Sequence, residues 1–356
     1  MKTSKLLGLL LLPALLAAGC RSSIPAPVTP KPPVGPGAGP VIRPASLGLV
    51  GDTADVRPAV SGGVVLMGGG TDVDAAFRWM IARSGGGDVV VLRATGTDAY
   101  NPYIAGLGPV NSVETLLINS RELANNPAVA RTIRNAEMVF IAGGDQSNYM
   151  NYWRGTLVQD ALNYLAQTRQ APLGGTSAGC AILGSAYFSG ENGSPTAAEA
   201  LANPYAPTIT LYHDDFLRVP VLQGVLTDQH YLTRDRPGRH VAFLARAWQD
   251  WGLLAQGIAV DEKTAVCVAP DGIAQVFGRS KAYFLRPTAG RPPERVAAGQ
   301  PLQWLRQQQA LAVYEVTGSE TGQGRVSVTD LSPAAAQGGT WQWWWVDNGQ
   351  LFQAPQ

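Results

Sequence analysis

The run Gly175-Thr176-Ser177-Ala178-Gly179 has the G-x-S-x-G spacing of a nucleophile turn. In such a turn a strand passes sharply into a helix, and the Ser hydroxyl is presented above the carboxyl edge of a sheet. A helix opening at Ala178 places N–H groups and a positive dipole end beside Ser177, which makes the Ala178 N–H a natural oxyanion donor. Gly143-Gly144-Asp145 follows another apolar run, and Gly144 is the candidate for the second donor. Taken alone, the pentapeptide fits an ordinary Gly-rich strand-to-helix turn equally well. The chemistry therefore depends on whether the chain holds partners for Ser177.

A Ser nucleophile needs a base, and His213, His230 and His240 are the three His of the chain. His240 falls in a helical stretch from Gly238 to Trp251, where an exposed His explains it. His213 lies in the polar run Tyr212-His213-Asp214-Asp215, without an apolar strand behind it. His230 closes Gly224-Val225-Leu226-Thr227-Asp228-Gln229, whose apolar start reads as a strand ending where α/β proteins collect their active-site residues. His230 is the preferred base. The third group should be a carboxylate that fixes the His tautomer and stabilises the imidazolium. Glu262, after the strand pattern Gly257-Ile258-Ala259-Val260, is the first choice, with Glu191 and Asp228 as alternatives. A solvated charge at a strand end is the competing explanation for Glu262.

These residues need a scaffold, and the apolar periodicity supplies one. Val64 to Met67, Asp88 to Leu92, Glu114 to Ile118, Met138 to Ala142 and Ala171 to Gly174 read as buried strands. Between them, Val73, Ala76, Phe77, Met80 and Ile81 share one face of a helix opened by Asp72, and Tyr149 to Ala166 reads as one helix. The alternation predicts an α/β fold with a mostly parallel sheet covered by helices on both faces. Beyond Val268, Asp271-Gly272 and Ser280-Lys281 predict hairpins. The tail with Trp341, Trp343, Trp344 and Trp345 is read as a β-rich extension. Its Trp cluster caps an apolar edge rather than binding sugar.

Composition narrows the remaining classes. Of 356 residues 46% are hydrophobic and the formal net charge is +1, so no electrostatic footprint points to nucleic acid. Three Cys and three His provide no argument for a zinc site, and no cofactor is expected. Lys2 and Lys5 precede an apolar stretch from Leu6 to Ala18 that ends at Gly19-Cys20, the pattern of an export signal too short to span a bilayer. It resembles a bacterial lipoprotein signal, cleaved before a lipidated Cys20, although Leu16 sits one place early. The expected layout is a signal over 1–19, a Pro/Gly-rich tether over 20–60, a catalytic domain over 61–280 and the extension over 281–356. Such a protein is exported and held to a membrane through Cys20. Cys180 and Cys267 then remain as buried thiols.

Gly143-Gly144-Asp145-Gln146, Gly175-Thr176-Ser177-Ala178-Gly179, Asp228-Gln229-His230 and Gly257-Ile258-Ala259-Val260-Asp261-Glu262 together resemble, in order and spacing, the cyanophycinases. These share peptidase family S51 with aspartyl dipeptidases. The resemblance covers about Gly62 to Phe277 and implies a flavodoxin-like sheet related to class I glutamine amidotransferases. It also implies a Ser-His-Glu triad, here Ser177, His230 and Glu262, and a homodimer. It makes Gln146, Asp228, Gln229, Arg234, Arg236 and Arg239 the implied substrate-pocket residues. The implied substrate is a peptide or a cyanophycin-like polymer, with Arg on the β-carboxyls of poly-aspartate. Guanidinium groups suit substrate carboxylates, whereas an internal network of these Arg with Asp228, Asp235 and Asp214 is the alternative. Two rival functions remain: a binding lipoprotein of the same fold without catalysis, and a glutamine amidotransferase. The latter needs Cys at the elbow, where this chain has Ser177, with Cys180 three residues on.

Overall fold

Val64–Met67 is apolar at every position, as a strand covered on both faces must be, and it lies at the centre of the larger of two sheets. A computed structural model describes residues 43–356 of the chain. The export signal, Cys20 and the first part of the expected tether lie outside the described residues.

The first half of this region alternates strands and helices. Strand β1 (Ser46–Gly51) is followed by β2 (Val64–Met67), α1 (Asp74–Arg83), β3 (Asp88–Arg93), α2 (Tyr100–Ala105) and β4 (Ser112–Leu117). Then come α3 (Arg121–Ala124), α4 (Pro127–Asn135), β5 (Met138–Ile141), α5 (Gln146–Trp153), α6 (Leu157–Tyr164), β6 (Leu173–Thr176) and α7 (Ala178–Ala181). Strands β4, β3, β5, β6 and β2 lie side by side in that order, all parallel. Their side chains alternate as the pleat requires. Val65, Met67, Val89, Val91 and Phe140 pack with α1 and α2, whereas Leu66, Val90, Leu92, Val139 and Ile141 pack with α4, α5 and α6. Helices therefore cover both faces.

Two details differ from the expected flavodoxin-like, mostly parallel sheet. A flavodoxin-like sheet runs 2-1-3-4-5; here the first parallel strand, β2, lies at the end of the run beside β6. The sheet also continues past β2 through antiparallel strands. The single helix expected from Tyr149 to Ala166 is broken at Arg154-Gly155-Thr156, where Thr156 restarts the chain as the cap residue of α6. Part of the expected tether belongs to the folded body: β1 pairs with β4 and Arg43 reaches Glu114 at 2.8 Å, so residues 43–51 are built into the fold upstream of Gly62.

The second half builds a second sheet and completes the first. It comprises β7 (Ala186–Phe188), α8 (Ala197–Ala202), β8 (Leu211–His213), β9 (Val225–Gln229), α9 (Pro237–Trp251), β10 (Gln256–Val260), β11 (Thr264–Val268) and β12 (Ile273–Gly278). These are followed by β13 (Lys281–Pro287), β14 (Leu311–Thr317), β15 (Gly324–Ser327), β16 (Ala336–Gln337), β17 (Gly339–Asp347) and β18 (Gln350–Pro355). The first sheet continues from β2 through β11, β12, β15 and β16, and the second runs β18-β17-β14-β13-β10-β9-β7-β8. Strands β9 and β10 are parallel, with α9 as their crossover.

The chain changes sheet between β10 and β11, at Asp261-Glu262-Lys263, and changes back between β12 and β13, at Arg279-Ser280. Asp271-Gly272 does turn a hairpin between β11 and β12. Ser280-Lys281 does not, because β12 and β13 belong to different sheets. The region after residue 280 is thus woven into both sheets. Within it Trp344 is buried against α9 and the second sheet, and Trp341 packs on Tyr314.

Candidate active site

Strand β6 ends at Thr176 and α7 begins at Ala178, so Ser177 must turn the chain within one residue. It does so at φ 51° and ψ −117°, a conformation that L-residues avoid and that active sites retain. The half-buried hydroxyl lies 2.7 Å from Nε2 of His230. On the far side of the imidazole, Nδ1 lies 2.7 Å from Oε1 of Glu262. With the carboxylate holding the Nδ1 proton, Nε2 is left to accept from the Ser177 hydroxyl.

The three residues come from three different strand ends, and the end of β2 gathers them. The carbonyls of Met67, Gly68 and Gly69 accept in turn from the backbone N–H groups of Ser177 (3.1 Å), His230 (2.8 Å) and Lys263 (3.0 Å). Each member of the relay, or its immediate neighbour, is thus pinned to consecutive residues of one strand end. The imidazole lies against Gly69, where a Cβ would come within 2.6 Å of Nε2 and closer still to Cε1. At Gly70 a Cβ would approach Oε2 of Glu262 to 2.9 Å. Both glycines also have positive φ, 99° and 71°, so position and conformation exclude a side chain together. The sequence displays Gly68-Gly69-Gly70 only as the end of a strand. A glycine's role as a seat becomes visible once its neighbour in space is known.

Asp261 is a second residue that strand-end reasoning passes over. Its Oδ1 accepts from the N–H of Leu232 and Thr233 and from the Thr233 hydroxyl, each at 3.0 Å. Its Oδ2 accepts from Ser280 at 2.6 Å. Burial alone would raise this carboxyl; the hydrogen bonds from Ser280 and Thr233 hold it below its ordinary value.

The electrostatics around His230 favour the neutral ring. Burial lowers its pKa, and the hydrogen bond to Glu262 works against this. The positive charges of Arg234 and Arg236 lower it further. A neutral imidazole at neutral pH is what a general base requires.

The remaining expected residues divide into two groups. Gln146, the first residue of α5, is half-buried over the Gly190 turn, where a Cβ on Gly190 would lie 2.9 Å from its Nε2. Gly144 is exposed, and the preceding Gly143 runs against Ser177, with room for a Cβ only 3.4 Å from that of Ser177. Arg234 is exposed beside His230. Gln229 is buried, and its side-chain Oε1 has no hydrogen-bond partner.

Asp228, Arg236 and Arg239, by contrast, form the internal network. Arg239 grips Asp228 with Nε at 2.8 Å and an Nη at 2.5 Å, and both side chains are 1–2% exposed. Arg239 also donates to Ser194, and Arg236 donates to the Gln229 carbonyl at 2.8 Å. Burial would raise Asp228, but the charge and hydrogen bonds of Arg239 outweigh it and hold the carboxyl below its usual range. Burial lowers Arg236 to about 10 against the pull of Asp228. Neither Asp214 nor Asp235 takes part. Arg236 and Arg239 order the segment after His230 from inside and do not present guanidinium groups at the surface.

The other two His are also placed. His240 is fully buried in α9 rather than exposed; its Nε2 donates to the Leu226 carbonyl at 3.2 Å, and burial lowers its pKa to about 4. His213 does have a strand behind it, β8, and stacks on Trp251. Glu191 accepts from Tyr212 at 2.8 Å and Ser189 at 3.2 Å, so it is Glu262 that touches His230. Cys180 and Cys267 are buried free thiols.

The model of Peptidase family S51 matches residues 94–276, a span that includes Ser177, His230 and Glu262. A cyanophycinase of Trichormus variabilis is 29% identical over 176 residues, covering 49% of this chain and 54% of that protein. A cyanophycinase of Synechococcus elongatus is 27% identical over 237 residues, covering 63% of this chain and 68% of that one. The chain thus spans about half the length of the first of these curated relatives. A crystal structure of a peptidase from an acI-B1 Actinobacterium aligns at a TM-score of 0.48 and 16% identity, over 76% of this chain and 98% of that one.

Proposed function

This chain belongs to peptidase family S51, and we propose that it is a serine-type hydrolase working through Ser177, His230 and Glu262. The observation that carries this reading is the continuous relay from the Ser177 hydroxyl through His230 to Glu262, at 2.7 Å for each step. His230 removes the Ser177 proton as the hydroxyl attacks a peptide carbonyl, and Glu262 stabilises the imidazolium that forms. The oxyanion is held by the N–H groups of Ala178 and Gly144. His230 then protonates the leaving amine, and water, deprotonated by His230 in turn, releases the acyl group from Ser177.

For substrate, we propose peptides with aspartyl or β-aspartyl linkages, including the cyanophycin type. Likeness to two cyanophycinases supports this class. The exposed Arg234 beside His230 offers a group for a substrate carboxylate. The burial of Arg236, Arg239 and Gln229 leaves the exposed Arg234 and the half-buried Gln146 to distinguish substrates. An aspartyl dipeptidase-like exopeptidase uses the same relay and differs only in what the pocket accepts. The sequence over residues 1–20 supports export and lipid anchoring at Cys20.

The test is to treat the protein with a fluorophosphonate and, separately, with cyanophycin and Asp-X dipeptides, identifying products by mass spectrometry. Labelling at Ser177, and turnover lost in Ser177→Ala with the fold retained, is the expected result. A wild-type protein that neither labels nor cleaves any of these would overturn the reading in favour of a binding protein of the same fold.

A further inference from the structure

Resting on the relay proposed above, we infer that Asp261 is a positioning residue: it ties the His230 turn, the Glu262 turn and the β12–β13 corner together and so sets the His230–Glu262 contact. The geometry behind this is specific. After His230, the chain makes a tight turn in which the N–H groups of Leu232 and Thr233 find no backbone acceptor. The Oδ1 of Asp261 takes both, along with the Thr233 hydroxyl. This is side-chain capping of a turn by a charged acceptor, stronger than a neutral one. His230 sits at the head of this turn in a left-handed conformation, φ 48°, which needs such restraint to persist.

The other oxygen faces the opposite way. Oδ2 accepts from Ser280, at the point where the chain returns to the second sheet. Around it, the Asp261 N–H donates to the Lys281 carbonyl at 3.0 Å, the Ser280 N–H to the Thr264 hydroxyl at 2.9 Å, and the Arg279 N–H to the Lys263 carbonyl at 2.9 Å. The two sheet-changing corners are thus bound to one another, and Glu262 sits in one of them. A single buried carboxylate therefore spans all three segments. Without it the turn carrying His230 loses its tie to the Glu262 corner and is free to shift relative to Glu262. A relay spaced at 2.7 Å cannot absorb such a shift.

The segment from Ser280 onward thereby acquires a role in the site. Ser280 opens it, so strand β13 and its partners buttress the relay although they contribute no reacting group.

The experiment compares Asp261→Ala, Asp261→Asn and Ser280→Ala in the full chain. Three readouts are used: kcat and KM, the rate of fluorophosphonate labelling, and the downfield NMR resonance of the His230 Nδ1 proton. Asp261→Ala is expected to lower kcat and labelling by about 10- to 100-fold, with KM within about twofold, and to shift or broaden the Nδ1 resonance. Asp261→Asn keeps an oxygen facing Leu232 and Thr233 and should recover most of that loss. Ser280→Ala, which removes one bond and is the fallback if Asp261→Ala does not fold, should lower kcat several-fold with the fold intact. Unchanged labelling and an unchanged Nδ1 resonance in Asp261→Ala would overturn the inference. If Ser280→Ala is used in its place, the same unchanged pair in that variant overturns it. If the wild type does not label at all, the hydrolase reading fails, while the NMR comparison still decides what Asp261 does.

Discussion

Replacing Gly69 by Ala tests the architecture of the site most directly, because it adds one methyl group and removes nothing. The new Cβ would stand 2.6 Å from Nε2 of His230. Ordinary contact between such atoms is about 3.5–4.0 Å, so the imidazole must retreat by about 1 Å. A misplacement of that size costs about 100-fold in rate, equivalent to about 2.7 kcal/mol of barrier. Backbone strain is a separate matter: at φ 99° an L-residue costs about 1–3 kcal/mol of stability. That strain lowers the melting temperature by several degrees, at about 2–4 °C per kcal/mol for a domain somewhat smaller than this one. Gly252→Ala provides the control, since Gly252 also has positive φ, 64°, but faces open space. It should lose stability while kcat stays unchanged. The assay is kcat/KM on an aspartyl peptide together with the rate of fluorophosphonate labelling, with melting curves for both variants. A Gly69→Ala protein within about threefold of wild type, less than 1 kcal/mol of barrier, would refute the claim that the β2 end seats the His.

Two further outcomes follow from the charges. The acid limb of kcat/KM should fall below the ordinary His value of about 6.5, since burial lowers His230. Arg234 opposes the imidazolium, so Arg234→Gln should raise the His230 pKa and move the acid limb to higher pH; a limb that stays put or moves down excludes this electrostatic account. Asp228→Asn breaks a buried pair and leaves Arg239 uncompensated, with an expected loss of about 3–5 kcal/mol measured by denaturant unfolding. Because the folded-state pKa of Asp228 lies below its unfolded value, its contribution is complete above about pH 4 and disappears as pH falls through the folded pKa. The stability gap between wild type and Asp228→Asn should therefore close on acidification, and a gap constant down to low pH would contradict it.

The parts of the site that sequence makes legible are those announced by a strand ending. Ser177, His230 and Glu262 each follow an apolar run, and the structure brings these three together rather than His213, His240 or Glu191. What stays hidden depends on neighbours distant in the chain. The spacing of Arg234, Arg236 and Arg239 does not reveal that two of them face inward onto Asp228. Ser280-Lys281 has the local look of a hairpin, and only the partners of β12 and β13 reveal a change of sheet. Strand β1 lies in Gly-rich surroundings, and its pairing with β4 is a tertiary fact. The break at Gly155-Thr156 carries a signal that the one-helix reading of Tyr149 to Ala166 passes over: Gly followed by a β-branched cap residue can stop and restart an apparently continuous helical period.

The position of the relay between two sheets also has a consequence for how the protein is made. Ser177 follows a strand of the first sheet and His230 a strand of the second, 53 residues further along. Either sheet, formed alone, holds a hydroxyl without a base or an imidazole without its nucleophile. The Ser177–His230 pair exists only where the two layers have docked and the corner at Asp261-Glu262-Lys263 has closed, so it depends on long-range contacts rather than on either sheet alone. A half-folded chain, with its own backbone still exposed as a target, carries no active nucleophile. On the proposed function, hydrolysis would be a stricter measure of native assembly for this protein than helix content or Trp fluorescence.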